Sequence, residues 1–310
     1  MWVNTTSSFL TFHSQRNSTH ALKTGFTQSV HLKIFIEENY MNVLAFDIET
    51  VPDVENGRRL LNLHDLDDRQ IAEVMFHHRR QETGTEFLRH DLHRVVAISA
   101  VFRSDTRFKV GSFGDEKSSE KGLIQRFFDG VGRSSPVLVS WNGGRFDLPV
   151  LHYRSLLHGV SAPRYWDMGE FDKNLRWNNY LNRFHYRHTD LMDVLSGYQM
   201  RAAVPLDGMA GLLGFPGKLG MDGAKVWEKY LAGDVKAIRN YCETDVLNTY
   251  LVYLRFQLVR GHLTQSEHDR ECQRVRDELA SSEEAHLQEF LAAWTPSNSS
   301  PKGPPVENSD

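Results

Sequence analysis

The fold of this chain is decided by one stretch, Val43-Leu44-Ala45-Phe46-Asp47-Ile48-Glu49-Thr50. It begins as an apolar run of residues that favour β-strands, and it ends with two carboxylates. Because Asp47 and Glu49 are two positions apart, a strand directs both side chains to the same face. A short apolar strand of this kind is typical of a buried position in a mixed α/β sheet.

Two carboxylates at the end of a buried strand are unfavourable, because burial disfavours the charged form of each acid. A positive partner must offset that cost. A divalent cation is the natural candidate, because Mg²⁺ and Mn²⁺ prefer carboxylate oxygen ligands. The alternative is that Asp47 and Glu49 are two solvated acids at an exposed strand end, and this segment alone leaves both interpretations open.

The composition is that of a globular chain. The 310 residues are 40% hydrophobic and 25% charged, which suits one large domain or two small ones. A net charge of -4 argues against a protein that coats nucleic acid non-specifically, although a local basic groove around an acidic metal site stays compatible with it. No apolar run is long enough to span a membrane. The two cysteines, Cys242 and Cys272, have no zinc spacing and form no disulfide framework, which predicts a reducing, cytoplasmic setting.

The order of predicted elements is strand, helix, strand, strand, helix, strand, helix, which suits an α/β fold with a mixed sheet and helices on both faces. The apolar patterns predict a helix over 58–81, strands over 95–102 and 108–113, a helix over 120–131, a strand over 136–141 and a helix over 148–157. Later, a long helix is predicted from Asp234 to Arg255 or beyond, and one charged amphipathic helix over 266–293.

The two ends of the chain differ from the rest. Residues 1–40 are rich in Ser and Thr, and Met41 directly precedes the first strand. We predict either that residues 1–40 are a disordered leader or that the native protein starts at Met41; a transit peptide is an alternative, with Arg16 as its single arginine. Residues 294–310 are predicted to be a disordered tail.

A further acid lies in Trp141-Asn142-Gly143-Gly144-Arg145-Phe146-Asp147, which follows a predicted strand and opens a helix. The glycines permit a sharp turn and a close approach of the backbone to a ligand. Asp147 is predicted near a helix N-terminus, where the helix dipole favours its charge. Helix capping alone would also explain an aspartate there.

The third stretch is Tyr241-Cys242-Glu243-Thr244-Asp245, within the long helix. Tyr241 and Asp245 are four residues apart and therefore share a helix face. The surrounding apolar residues indicate that much of this helix is buried, so Asp245 needs a partner, for which a salt bridge to an arginine is the alternative to a metal. Glu243 points elsewhere and is predicted to be solvated.

Two other segments could meet a substrate. Residues 162–189 alternate basic and aromatic side chains, which suits a groove for single-stranded nucleic acid, where bases stack on rings and cations meet phosphates. The alternative is a loop that packs its aromatic rings on the sheet. The glycine-rich loop over 214–220 could bring Lys218 to a phosphate, although an ordinary tight connection is the favoured interpretation.

Taken in order, acid-x-acid at a strand end, Asn-x-x-x-Phe-Asp at a helix start and Tyr-x-x-x-Asp in a late helix resemble the DEDD exonucleases of the tyrosine branch. The motifs Phe-Asp-Ile-Glu-Thr and Tyr-Cys-Glu-Thr-Asp are most similar to those of the predicted 3′–5′ exonucleases related to the proofreading domain of family B DNA polymerases. The resemblance covers about residues 41–260 and includes no polymerase region. We therefore expect a free-standing exonuclease domain over 41–262, followed by a charged helix over 263–293.

The resemblance implies an RNase H-like fold and removal of nucleotides from a 3′ end with two divalent cations, Mg²⁺ or Mn²⁺. Carried over by position, Asp47, Glu49 and Asp245 would hold the first cation, and Asp47 would bridge to the second. Asp147 would act on the second cation, partly through water, and Tyr241 would orient the attacking water.

Within the second motif, Asn142, Arg145 and Phe146 are the candidate substrate contacts. The expected substrate is single-stranded nucleic acid, with DNA favoured over RNA. One alternative keeps the chemistry and acts on RNA 3′ ends. A structure-specific endonuclease and a non-catalytic nucleic-acid-binding module are two others, and the second of these would be expected to lose one or more of the four acids.

Overall fold

The computed structural model describes residues 42–294, and these form a mixed sheet with the strand order β3-β2-β1-β4-β5. The strands are β1 (Val43–Pro52), β2 (His93–Arg103), β3 (Phe108–Ser112), β4 (Val137–Ser140) and β5 (His188–Asp190). The β1–β2 and β2–β3 pairs are antiparallel, whereas β4 runs parallel to both β1 and β5. The predicted leader lies outside the described residues, as does the predicted tail beyond Trp294.

The α-helices of the described residues follow in chain order. They are α1 (Val54–Leu61), α2 (Asp68–Thr83), α3 (Glu120–Ser134), α4 (Asp147–His158), α5 (Pro163–Trp166), α6 (Leu191–Leu195), α7 (Leu206–Leu212), α8 (Val226–Leu231), α9 (Val235–Val259), α10 (Gln265–Ser281) and α11 (Ala285–Ala293). Within 42–294, none of these helices is long and apolar enough to cross a membrane.

Strand β1 separates two cores, because alternate side chains of a strand point to opposite faces. Leu44, Phe46 and Ile48 pack with α3 and α4 on one face. Val43 and Ala45 pack with α9 on the other face. The sheet is thus covered on both faces, as predicted, and the fold is RNase H-like. The two acids of β1 continue the series of Val43 and Ala45 and therefore point towards α9.

The region predicted as one helix over 58–81 contains two helices instead. Asn62 ends α1 in the left-handed conformation with φ 55°, and Asp67 starts α2 with a capping box that includes Gln70. Leu63 and Leu66, in the connection, pack on the same small core as the helices. They continue the apolar spacing across the break, which explains why periodicity alone predicts one long helix.

The C-terminal segment predicted as one helix over 266–293 is also two helices. Ser282 and Glu284 are extended between α10 and α11, and the Gln288 amide donates hydrogen bonds to the carbonyl oxygens of Leu279 and Ser282 at 2.8 and 2.7 Å. Apolar side chains of both helices enter the core that α9 shares with the sheet, namely Val275, Leu279, Leu287 and Phe290. The segment over 263–293 is therefore packed into the body of the domain.

Candidate active site

The acids predicted from three parts of the chain meet at the end of β1. Asp147 is the first residue of α4, and its carboxylate accepts a hydrogen bond from the backbone amide of Ile48 at 3.1 Å. This contact places Asp147 beside the segment that carries Asp47 and Glu49. Asp245 comes from α9, which covers the face to which both β1 acids point. A register shift between Glu49 and Thr50 marks the point where regular pairing of β1 with β2 is interrupted.

The charges of the four carboxyl groups act on the pKa values of the β1 acids. Burial raises the pKa of Asp47 well above its usual range, and the charges of Asp147, Glu49 and Asp245 raise it further. The pKa of Glu49 is raised by burial and by the charges of Asp245 and Asp147. Such crowding of like charges in a dry place disfavours full ionisation unless positive charge is added.

The other two acids are also shifted. Burial raises the pKa of Asp147 to about 7, although hydrogen bonds from backbone amides, among them that of Ile48, oppose the shift. Burial raises the pKa of Asp245 to about 6, against the hydrogen bond from Tyr241 and the charge of Lys218. The four acids thus share one cause, desolvation, and each is a better cation ligand once a cation displaces its proton.

Tyr241 lies on α9 one turn before Asp245, as its spacing predicts, and its hydroxyl hydrogen-bonds to the Asp245 carboxyl group. Burial raises the pKa of Tyr241 above its usual value, and the charges of Asp245 and Glu49 raise it further. Tyr241 is therefore a neutral phenol that can donate a hydrogen bond at the acid cluster.

Cys242 is a member of the site that the sequence reasoning did not place there. Its thiol lies 3.4 Å from the Asp47 carbonyl oxygen and 3.6 Å from a carboxylate oxygen of Asp47. Potential ligand atoms of Asp47, Glu49 and Cys242 all lie within 4.8 Å of one another. Burial raises the pKa of the Cys242 thiol, which keeps it protonated beside the acids. Its position next to Tyr241 on a buried helix was the available signal.

Lys218 supplies positive charge to the acid cluster, since it lowers the pKa of both Glu49 and Asp245. Its loop is tied to α9, because the Gly217 amide donates to Asn248 Oδ1 at 3.2 Å and Asn248 Nδ2 donates to the Gly217 carbonyl oxygen at 2.9 Å. Gly217 has φ +66°, and a Cβ there would lie 2.5 Å from Asp207 Oδ1. The loop over 214–220 is thus a tight connection, as predicted, and it also brings Lys218 near the acids.

The prediction that Glu243 is solvated is wrong. The residue is buried, and its carboxylate accepts hydrogen bonds from Ser112 Oγ at 2.6 Å and from His286 Nε2 at 2.8 Å. Burial raises the pKa of Glu243, but the hydrogen bonds from His286 and Ser112 outweigh burial, and the net shift is downward. Glu243 therefore joins α9 to β3 and α11, beside the helix face that carries Tyr241 and Asp245.

The Asn142–Asp147 turn is held by a second carboxylate. Asn142 has the left-handed φ of 68°, and its backbone amide and that of Gly144 both donate to Asp190 at 2.9 Å. Asp190 also caps α6 by accepting the amide of Asp193. Asn142 is therefore part of the backbone turn that positions Asp147.

Arg145 extends away from that turn. It forms an ion pair with Asp193, with Nε and a terminal nitrogen 2.8 and 2.7 Å from one carboxylate oxygen, and Arg183 pairs with the other oxygen at 2.8 Å. Both arginines and Tyr198 line a cavity of about 210 Å³ beside Gly144. Two guanidinium groups share the Asp193 carboxylate there, and Asp190 also lines the cavity, so the arginines and the aspartates are equal in number.

Some aromatic residues of 162–189 pack in the core, and others are exposed, as a groove for single-stranded nucleic acid would require. Tyr165 and Tyr180 are buried and stacked, with ring centroids 5.5 Å apart, so they belong to the core. Trp177, Phe184 and Tyr186 are exposed. Arginine side chains lie over two of these exposed rings: Arg183 Cζ is 5.7 Å from the centroid of Phe184, and Arg260 Cζ is 5.4 Å from the centroid of Tyr186.

The sheet and its four converging carboxyl groups define an α/β protein with an acidic centre suited to divalent cations. Residues 85–294 match a family described as predicted 3′–5′ exonucleases related to the exonuclease domain of PolB, and the chain belongs to this family. No protein among the curated ones matches the chain. Asp147, Tyr241 and Asp245 lie within the matched residues. Asp47 and Glu49 precede the matched residues, and the fold brings them to the same site.

Proposed function

We propose that the protein is a metal-dependent 3′–5′ exonuclease that hydrolyses phosphodiester bonds at the 3′ end of single-stranded DNA. The observation that carries this proposal is the convergence of Asp47, Glu49, Asp147 and Asp245 on one largely buried site. Membership of a predicted exonuclease family supports the reaction and its polarity.

The donor set fits divalent cations. All four groups offer carboxylate oxygen, the ligand that Mg²⁺ and Mn²⁺ prefer, and burial together with mutual repulsion leaves the site short of positive charge. Asp47, Glu49 and Asp245 would hold one cation, and Asp47 with Asp147 would hold a second. When bound, such cations lower the pKa of an attacking water and offset the charge that develops on the phosphate.

Tyr241 would orient the attacking water. Its hydroxyl is a neutral hydrogen-bond group at the carboxyl group of Asp245, and its raised pKa makes it unsuited to accept a proton at neutral pH. A positioned phenol lowers the entropic cost of reaching the reactive geometry, which is a recognised contribution to catalysis. We therefore assign Tyr241 to positioning the attacking water, and we assign removal of the water proton to groups of lower pKa.

Lys218 would meet the substrate phosphate. Four ionised carboxylates and two divalent cations balance in charge. Lys218 Nζ pairs with an exposed carboxylate, Asp222 Oδ1, at 3.5 Å, and with substrate present it would exchange this partner for the scissile phosphodiester. Its main-chain amide donates to Asp207 at 2.8 Å, and its loop is fixed to α9 through Asn248. The ammonium group is therefore presented from a constrained backbone close to Glu49 and Asp245.

The strand upstream of the cut would follow the arginines and exposed rings beside the Asn142–Asp147 turn. Arg145 and Arg183 line the cavity next to Gly144 together with Asp190 and Asp193, and Phe184 is exposed against Arg183. Base stacking on such rings tolerates any sequence, as an exonuclease requires. An unpaired strand exposes its bases to these rings, whereas a duplex does not.

The test uses single-stranded DNA and RNA oligonucleotides of one sequence, each labelled at the 5′ end, with Mg²⁺, Mn²⁺ or EDTA. We expect DNA to shorten stepwise from the 3′ end with either metal and to stay intact in EDTA. The Asp245→Asn protein, purified in parallel, is the control for a contaminating nuclease. Faster digestion of RNA would reassign the substrate, and binding without cleavage in Mn²⁺ would overturn the enzymatic proposal.

A further inference from the structure

Arg154 is a buried cation, 4% exposed, whose guanidinium group lies between two buried carboxylates. Its Nε and one terminal nitrogen donate to the two oxygens of Glu120 at 2.7 and 2.5 Å, and its other terminal nitrogen donates to Asp53. We call Arg154, Asp53 and Glu120 the buried ion cluster. The Glu120 carboxylate also accepts the Val95 amide at 2.7 Å and lies 2.7 Å from His158 Nε2.

The buried ion cluster joins elements that are distant in the chain. Asp53 directly follows β1, Glu120 is the first residue of α3, and Arg154 belongs to α4. The contact between Arg154 and Asp53 links residues 101 positions apart. One guanidinium group therefore connects the strand that carries two acids of the site with the helix that begins at Asp147.

Helix α4 is attached to the β1 segment at two places. Near its start, the Asp147 carboxylate accepts the amide of Ile48 at 3.1 Å, and two turns later Arg154 pairs with Asp53. Seven helical residues span about 10 Å along the axis and return to the same face. The two contacts also lie on either side of Glu49 and the register shift that follows it. One contact alone would let α4 pivot about its first residue, whereas two contacts fix its direction.

The buried ion cluster contributes direction more than stability. Burying three charges has a large desolvation cost, and well-packed apolar side chains in their place often give an equally stable protein. A guanidinium group differs from an apolar contact because its planar fork donates hydrogen bonds only in fixed directions. Arg154 can therefore satisfy Asp53 and Glu120 together in only one orientation of α4, which an apolar core would not select.

We infer that Arg154 is a positioning residue for Asp147. The inference rests on the proposed exonuclease function and extends it to how the geometry of the acid site is maintained. Arg154 donates its hydrogen bonds to Asp53 and Glu120, so it acts on Asp147 only through α4. Without the buried ion cluster, Asp147 should leave the Ile48 amide, and the cation assigned to Asp47 and Asp147 should bind more weakly.

The test measures hydrogen exchange of single backbone amides by NMR in EDTA. The triple variant Arg154→Met, Asp53→Asn and Glu120→Gln removes all three charges together, so that no buried carboxylate is left without its cation. We expect the Ile48 amide to exchange at least about tenfold faster in this variant, the factor that one hydrogen bond accounts for. The amide of Val101, in a strand paired on both sides, should change only with the global stability, which urea unfolding measures.

Two further variants separate positioning from a general loss of structure. Arg69→Met with Glu228→Gln removes an exposed ion pair of 2.9 Å between α2 and α8 and should leave the exchange of Ile48 unchanged. Arg154→Lys keeps the charge but loses the fork, so its Ile48 exchange should lie between those of the wild type and the triple variant; it also provides the measurement if the triple variant does not fold. Equal acceleration at Ile48 and Val101, or no change at Ile48, would overturn the positioning role.

Cation binding gives a second result that does not depend on cleavage. Titration with Mn²⁺ by calorimetry should show affinity about tenfold lower or more in the triple variant, as when a group that orients a metal ligand is lost. Unchanged Mn²⁺ affinity in a variant with fast Ile48 exchange would overturn the link between Arg154 and the cation. A wild type that binds Mn²⁺ more tightly than the triple variant but cleaves no DNA would overturn the exonuclease proposal and keep the positioning role.

Discussion

The backbone amide of Ile48 donates a hydrogen bond to the carboxylate of Asp147 at 3.1 Å, and this contact joins residues 99 positions apart. It fixes the first residue of α4 against the strand segment that lies between Asp47 and Glu49. Asp147 is thereby held in a buried position by the protein alone, and burial raises its pKa to about 7. The fold itself therefore brings this carboxyl group to the segment that carries the β1 acids.

Asp147→Asn should stabilise the metal-free protein, and by more at pH 8 than at pH 5. The folded-state pKa of Asp147 lies above the unfolded value, so the folded protein holds an extra proton between about pH 4 and 7, and stability falls as pH rises through that window. At pH 8 the buried charge is fully present in the wild type, and its removal should gain on the order of 2 kcal/mol.

Urea unfolding in EDTA at the two pH values measures this difference. Glu116→Gln, which neutralises an exposed acid, is the control and should show no comparable pH dependence. An Asp147→Asn protein that is less stable than the wild type at pH 8 would show that the carboxylate has a structural role in place of a ligand role.

Mg²⁺ or Mn²⁺ should raise the melting temperature of the wild type, because cations that bind the native acid site shift folding by mass action. Asp47→Asn should lose most of this rise and abolish cleavage, yet be at least as stable as the wild type in EDTA. Differential scanning calorimetry with and without metal provides the comparison. Unfolding of Asp47→Asn in EDTA would assign Asp47 to the structure and would remove it from the metal site.

The shared strand face of Asp47 and Glu49 and the shared helix face of Tyr241 and Asp245 follow from the sequence, because the spacing within each pair is local. Asp47 and Glu49 follow the two-residue period of a strand, and Tyr241 and Asp245 follow one turn of a helix. Glu243 was predicted wrongly because its partners are distant in sequence. Ser112 precedes Glu243 by 131 residues and His286 follows it by 43. No local pattern around Glu243 predicts either contact.

The two broken helices have different causes. Asp67 and Gln70 form the capping box that begins α2, so a local signal for the first break exists, and the apolar periodicity that continues across it outweighs that signal. No side-chain cap marks the start of α11 at Glu284, so the second break has no such signal. The position of Lys218, by contrast, depends on a loop that reaches α9 through Asn248, and no spacing rule gives that contact.

Tyr241→Phe should lower turnover at least about tenfold while the metal-induced rise in melting temperature stays unchanged, because the hydroxyl positions water and is not a cation ligand. The loss of its hydrogen bond should also raise the pKa of Asp245. Single-turnover cleavage and metal titration by calorimetry measure the two effects separately. Equal turnover of Tyr241→Phe and wild type would remove Tyr241 from the mechanism.

Lys218→Met should lower kcat/KM about tenfold or more, because a cation beside the scissile phosphate is lost. It should also move the acidic limb of the pH–rate profile to higher pH, since the charge of Lys218 holds down the pKa of Glu49 and Asp245. Lys225→Met is the matched control, because it removes an exposed lysine from the segment just after the loop. A normal profile for Lys218→Met would place the lysine outside the reaction.

Truncation after residue 262 should give an insoluble or largely unfolded protein, although that boundary was drawn from the sequence. It removes α10 and α11, whose Leu279 and Phe290 share one core with α9, and it leaves Glu243 without His286. Exposed apolar surface favours aggregation, and a buried carboxylate that loses its partner costs several kcal/mol. Truncation after residue 294 keeps both helices and is the control. Soluble expression and gel filtration distinguish the two, and a monodisperse, active 1–262 fragment would show that α9 can complete the acid site without the C-terminal helices.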